Sequence, residues 1–274
     1  MAFVSHLVRV RNHLKQSLNQ AQRDKLAKFQ GLRFRGLQHL CYRLFFGSNL
    51  KTLAILNKTD KWGSHWYAQH YERHFAPLRH KRLNILEIGV GGWEDPELGG
   101  GSLRMWRTYF PRGRIYGIDA CDKSPHDERR IKTFMGSQVD EQFLEELVRT
   151  IGRLDIVIDD GSHLNQHVLR TFELLFPRLT RDGIYIIEDT QTSYWRNYGG
   201  SSTELNRLDT VMGFLKTLVD GVNYEEFEAE HYESSYYEQN IVAIHFYHNL
   251  VFIQKGLNKE GSNRKEIGAV ARLM

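Results

Sequence analysis

From residue 83 onward the apolar positions gather into short, nearly continuous runs. LNILEIGV (83–90) runs into glycines, and GRIYGID (113–119), LDIVIDD (154–160) and GIYIIED (183–189) each close on acid. Unalternated runs of that length are strands covered on both faces. The stretches GSLRMWRTYF, EQFLEELVRTIG and HVLRTFELLFPRL lie between them and place apolar residues at helical spacing. Strands alternating with helices specify a mainly parallel α/β sheet. Near the end of the chain, NIVAIHFY and LVFIQKG flank a two-residue HN turn, the pattern of an antiparallel hairpin at a sheet edge. Four or five parallel strands finished by such a hairpin outline the class I methyltransferase form of the doubly wound, Rossmann-like sheet. Fold alone does not give a reaction.

Before residue 57 the pattern changes. Residues 3–30 repeat apolar positions at helical spacing, and residues 37–56 are apolar on more than one face. TDKWGSHWYAQHYERHF (59–75) starts as a capped turn and continues as a helix. The reading divides the chain into a basic helical extension (1–56), a catalytic domain (57–260) and a tail (261–274). Charge sharpens that division. Residues 1–61 carry 12 Lys or Arg against 2 acids, and the remainder carries 25 against 31. A basic arm can meet an anionic partner or a membrane surface, or pack on the body or on a second subunit. No nucleic-acid motif accompanies it, so no nucleic-acid partner is expected. No apolar run approaches the roughly 18 residues of a spanning helix. Two distant cysteines, Cys41 and Cys121, and no signal-type leader point to a cytoplasmic protein.

The chemistry gathers at strand ends, where open α/β sheets bind ligands. EIGVGG (87–92) brings Glu87 and the flexible backbone of Gly89 and Gly91 to the cofactor side. A dinucleotide fingerprint would open its helix at once. Here GVGGWEDPELGGGS intervenes, which weakens a nicotinamide reading, and Ser102 reads as the helix cap. Asp119, thirty residues after Gly89, can accept bonds from both ribose hydroxyls of either NAD or S-adenosylmethionine. In GSQVD, Ser137 and Gln138 can meet an adenine edge, or Ser137 can cap a helix.

IDDGSH and IIEDT bring Asp159, Asp160, Glu188 and Asp189 to neighbouring strand ends. Parallel strands lie about 4.8 Å apart, so these carboxylates repel unless a cation neutralises them. Oxygen-only donors favour Mg²⁺, with Mn²⁺ as a substitute, over a softer metal. Strand alternation turns Asp160 toward the metal and Asp159 toward the cofactor. His163, three residues past Asp160, can take a proton near its ordinary pKa of about 6.5. His167 is read as a supporting or packing residue.

Taken together, EIGVGG, GGGSLRMW, YGID, GSQVD, IDDGSH and IIEDT followed by TSYW resemble the Mg²⁺-dependent sugar O-methyltransferases of macrolide biosynthesis and of methylmannose polysaccharide. The resemblance spans roughly residues 57–255. It implies S-adenosylmethionine as cofactor and Asp160, Glu188 and Asp189 as metal ligands. It makes His163 the base and places Asp119 and Gln138 on the ribose and adenine. The implied reaction methylates a sugar hydroxyl of a glycoside or saccharide chelated through vicinal hydroxyls. Tyr194 and Trp195 are candidate acceptor contacts, and the segment 193–207 reads as a mobile lid. A catechol-type O-methyltransferase, an NAD-dependent oxidoreductase and a non-catalytic scaffold are the competing readings. The amphipathic N-terminal helices point to a homo-oligomer.

Overall fold

The structure is a computed structural model and describes residues 40–262 apart from 43 and 230. The helix expected over 3–30 and most of the tail lie outside the described residues. The chain divides into two compact units, Met1–Asn49 and Leu50–Met274. Within the first unit, residues 40–42 and 44–46 are helical, with Leu44 and Phe45 exposed. The second unit carries the sheet. It begins with helix α1 (Leu50–Asn57), whose Leu50, Leu53 and Ala54 are buried; the sequence reading had put this helix in the extension.

Seven strands form one sheet, β1 (Asn84–Ile88), β2 (Arg114–Asp119), β3 (Ile131–Met135), β4 (Leu154–Asp159), β5 (Leu179–Glu188), β6 (Ile241–Tyr247) and β7 (Leu250–Lys255). Their spatial order is β3-β2-β1-β4-β5-β7-β6. The first five are parallel and the last two antiparallel, as the hairpin pattern implied. In the hairpin turn Asn249 takes a left-handed φ of 62°. The order reverses between β1 and β4, which makes their carboxyl ends the crevice of the sheet.

Burial explains which strands were visible beforehand. β4 is buried at every position, and β1 at all but its first. β3 is an edge strand with alternating exposure, so its apolar signal is half as dense. It is the strand with no run of its own in the sequence.

Helices cover both faces. On one side α4 (Glu141–Ile151), α5 (Asn165–Leu175) and α6 (Val211–Gly221) contribute Leu144, Val168, Phe172 and Leu215 to a core shared with Val157 and Tyr185. On the other, α2 (Ala68–Phe75) buries Ala68, Tyr71 and Phe75 at three- and four-residue spacing. Tyr71 meets Trp106 of α3 (Gly101–Tyr109) at 4.9 Å and Phe252 of β7 at 5.2 Å between ring centroids. This aromatic packing fixes α2 beside the sheet and aims the Tyr71 hydroxyl at the strand ends. The short helix α7 (Tyr236–Asn240), capped by Ser235, leads into β6. Among the described residues no helix is long and apolar enough to cross a membrane.

Candidate functional site

The glycines after β1 settle how the long insertion is carried. Gly100 N–H donates to Val90 O at 2.8 Å, so the loop 91–99 leaves the sheet and returns beside its starting point. Gly99 has φ 98°, and a Cβ there would lie 2.3 Å from Gly91 O. The buried Lys123 pins the loop by donating to Trp93 O and Asp95 O, each at 2.7 Å. The helix is capped by Gly100 in the left-handed conformation, not by Ser102, which sits inside the first turn of α3. Ser102 Oγ donates instead to Glu87 Oε2 at 2.7 Å.

Asp119 ends β2 partly exposed. Its Oδ2 accepts Val90 N–H at 2.9 Å and its Oδ1 accepts Cys121 N–H at 3.0 Å. Each oxygen keeps a further lone pair for a ligand. Its sheet partner Met135 ends β3 as an exposed apolar side chain. At Gly91 a Cβ would meet nothing closer than 3.9 Å, so the backbone is open there.

Three residues expected on the cofactor side face elsewhere. Glu87 is fully buried and turned toward Ser102 and Lys61. Gln138 is buried, and its amide is used internally: Nε2 donates to Thr171 Oγ1 at 3.0 Å, and Oε1 accepts Ser162 N–H at 2.9 Å. Asp159 does point away from Asp160, as alternation requires, but into the core. It accepts the Tyr185 hydroxyl at 3.2 Å and lies 3.4 Å from Gln138 Nε2. Burial pushes its carboxyl up to about 7 against these hydrogen bonds. Ser137 is exposed and caps no helix; Asp140 caps α4 by accepting Phe143 N–H. Nothing in the local sequence distinguishes an inward from an outward Gln138.

Of the four acids expected to converge, Asp160, Glu188 and Asp189 do so, together with residues the sequence reading missed. Asp160 Oδ1 and Asp189 Oδ2 lie 3.8 and 3.7 Å from His163 Nε2. Asp160, His163 and Asp189 present ligand atoms within 4.8 Å of one another. Both His163 and Asp189 hold left-handed φ values, 57° and 55°, so each side chain is set by a strained backbone position, Asp189 directly after β5 and His163 four residues past β4. Behind this group lies a second one, Glu87, Asp160 and Glu188. Into it reaches Lys61, wholly buried, with Nζ 2.6 Å from Glu188 Oε1, 2.9 Å from Asp160 Oδ2 and 3.4 Å from Glu87 Oε1. Tyr71 donates to Glu188 Oε1 at 2.5 Å, and Tyr67 donates to Asp189 Oδ1 at 2.6 Å. His65 stacks on Tyr67 and stands 3.7 Å from Asp189 Oδ1.

Electrostatics follow from that crowding. Burial lifts the carboxyls of Glu188, Asp160 and Glu87; Asp160 lifts Glu188 further, and Lys61 opposes the rise in all three. Burial pulls the Lys61 ammonium's pKa down, but the carboxylates of Asp160, Glu188 and Glu87 outweigh it and raise it well above the ordinary value. His167 bonds Ser162 Oγ at 2.9 Å, a supporting contact. Beyond Asp189, Tyr194 and Trp195 line an open cleft of about 680 Å³ with Arg196, Tyr198 and Arg207. The segment expected as a mobile lid is tied to the body at its start: buried Asn165 donates to Tyr198 O at 2.8 Å, and Met212 N–H donates to Ser193 Oγ at 3.1 Å.

Comparison with known proteins gives this arrangement a context. No protein-family model matches the chain. It is 48% identical over 215 residues to the mycinamicin VI 2''-O-methyltransferase of Micromonospora griseorubida, covering 78% of this chain and 54% of that protein. It is equally identical over 215 residues to the demethylmacrocin O-methyltransferase of Streptomyces fradiae, with the same coverage. Over that stretch the chain is homologous to sugar O-methyltransferases. A third homologue, 46% identical over 210 residues, is the 8-demethyl-8-alpha-L-rhamnosyl tetracenomycin-C 2'-O-methyltransferase of Streptomyces olivaceus, with 76% of this chain and 55% of that protein covered. The crystal structure of the MycE methyltransferase of the mycinamycin pathway, in complex with Mg and SAH, superposes with a TM-score of 0.76 at 46% identity. The match covers 78% of this chain and 56% of that one. A further MycE structure, holding Mg, SAH and mycinamycin VI, gives a TM-score of 0.75 at 47% identity, covering 78% of this chain and 55% of that one. The chain thus spans about half the length of the relatives it matches. The homology carries the methyltransferase fold.

Proposed function

We propose that this chain is an S-adenosylmethionine-dependent O-methyltransferase acting on a sugar hydroxyl of a glycosylated natural product or polysaccharide with a divalent cation, Mg²⁺ or Mn²⁺. The observation that carries the reading is the convergence of Asp160, His163 and Asp189 within 4.8 Å at the crevice of the sheet. The donor set fits the metal: carboxylate oxygens with no cysteine, in a nest that already accommodates one positive charge, the Lys61 ammonium. Glu87 Oε1, buried without a hydrogen-bond partner, adds to the negative potential there. Asp160 and Asp189 would hold the ion, while Glu188, expected as a third ligand, gives its Oε1 to Lys61 and Tyr71. When bound, it would act as a Lewis acid that lowers the pKa of the acceptor hydroxyl.

The chain's own groups do the rest. His163 Nε2 takes the hydroxyl proton, oriented by Asp160 on one side and Asp189 on the other. Tyr67 holds Asp189 by donating to its Oδ1, leaving Oδ2 toward His163. Asp119 accepts the ribose hydroxyls, and the open backbone at Gly91 admits the amino-acid end of the cofactor. Met135 offers an apolar surface to the adenine. Tyr194 and Trp195 stack on the acceptor's sugar or aglycone. No covalent enzyme intermediate is required, and catalysis consists of positioning and electrostatics. The free thiols of Cys41 and Cys121 fit a reducing, cytoplasmic setting.

Calorimetric titration with S-adenosylhomocysteine and, separately, with NAD tests the cofactor assignment. Binding of S-adenosylhomocysteine alone is expected; binding of NAD alone would overturn the proposal.

A further inference from the structure

Lys61 has no part in the reaction just described, yet among the described residues it is one of the largest fully buried side chains. We propose that Lys61 is a built-in cation, a positioning residue that fills the inner half of the acid cluster, ties Glu87, Asp160 and Glu188 together, and confines the site to one divalent ion in the outer half. The inference rests on the metal reading above and adds the stoichiometry to it.

Two overlapping groups of potential ligands share Asp160. The outer one is Asp160, His163 and Asp189; the inner one is Glu87, Asp160 and Glu188. Ligand atoms gathered within 4.8 Å can surround a divalent ion in either place. Nζ of Lys61 occupies the inner place, touching one oxygen of each carboxylate at 2.6, 2.9 and 3.4 Å. Only one oxygen of Asp160 is used, since Oδ2 faces Lys61 while Oδ1 faces His163. Asp160 therefore bridges an ammonium and the outer site.

The inner group needs a permanent cation. Glu87 is fully buried and its Oε1 has no hydrogen-bond partner, so Lys61 is the positive charge beside it. An ammonium supplies that charge with three donors and a fixed tether. The tether is local: Lys61 O accepts the N–H of Ala68, the first residue of α2, at 3.0 Å, which ties the lysine to the start of that helix. Tyr71, on that same helix, reaches the same oxygen of Glu188.

The test is a Mn²⁺ titration, followed by the paramagnetic resonance of free Mn²⁺, on wild type, Lys61→Met and Lys61→Arg, with thermal melts in EDTA beside it. Wild type and Lys61→Arg are expected to bind one equivalent. Lys61→Met is expected to melt roughly 10 °C lower without metal, because a buried carboxylate group loses its counter-charge. It should then bind two equivalents, the second restoring the melting temperature. Recovery of folded Lys61→Met only in the presence of Mn²⁺ supports the same conclusion. Two equivalents in wild type or in Lys61→Arg would overturn it. So would a Lys61→Met protein that binds one equivalent and melts as wild type does in EDTA, an outcome that leaves the methyltransferase reading standing. A wild type that binds no Mn²⁺ would overturn both.

Discussion

Asp159→Asn isolates the cost of one buried carboxylate. In the fold its carboxyl is pushed up to about 7 by burial, against the Tyr185 and Gln138 hydrogen bonds. In the unfolded chain it titrates near 3.9. Because the folded value is the raised one, the folded state binds the extra proton between these two values. The stability linked to that proton is fully present below about pH 4 and is lost as pH rises toward 7. Between pH 5 and pH 8 the loss comes to about 2–3 kcal/mol, the linkage integral for a shift of about three units. For a chain of this size that is about 5–10 °C of melting temperature. Asparagine keeps the shape and carries no titration, so the variant does not lose this amount. Its changes in hydrogen bonding are the same at every pH and drop out of the slope. Thermal melts of both proteins in EDTA, at pH 5, 6, 7 and 8, read the difference. The variant is expected to gain on wild type by about 5 °C or more across that range. A difference constant to within about 2 °C would refute the burial argument for Asp159.

Other outcomes follow from the same geometry. His163→Ala is expected to lower kcat about 10²–10⁴-fold with S-adenosylhomocysteine affinity unchanged, measured by turnover and calorimetry; near-normal turnover would move the base elsewhere. Gly89→Ala meets the Asp160 carbonyl at 2.1 Å with φ 87°, whereas Gly152→Ala, at φ 83°, meets open space. Denaturant melts are expected to show more than about 3 kcal/mol lost for the first and about 1–2 kcal/mol for the second. Trp195→Ala is expected to raise the acceptor KM roughly tenfold with little change in kcat, read by steady-state kinetics.

The central strands were legible because β1, β4 and β5 lie inside the sheet and carry continuous apolar runs, β1 into glycines and β4 and β5 into acids. That signal places Asp160, Glu188 and Asp189 at one crevice from the sequence, and alternation separates Asp159 from Asp160, as the fold does. It failed where orientation depends on distant partners. Gln138 turns inward because Thr171, 33 residues away, and the Ser162 amide complete its amide group. Lys61 was unreadable for a stronger reason. A lysine between Asp60 and Trp62 in a turn reads as solvated, and its partners lie 99 and 127 residues further on. A charge is buried only where the fold assembles its counter-charges, and neither half of that arrangement has a local signature. Tyr67 and Tyr71 give the faint trace: aromatic hydroxyls on the inward face of an amphipathic helix and just before it, where plain apolar residues would have served packing alone.

The most direct test of the proposed reaction is transfer of a labelled methyl group from S-adenosylmethionine to a glycosylated macrolide bearing a free vicinal diol, with the product located by mass spectrometry. Transfer to a sugar hydroxyl, abolished by EDTA and restored by Mg²⁺, is the expected result. Transfer that persists undiminished in EDTA would contradict the metal assignment, and methyl transfer absent from every glycoside and saccharide offered, with Mg²⁺ present, would contradict the function itself.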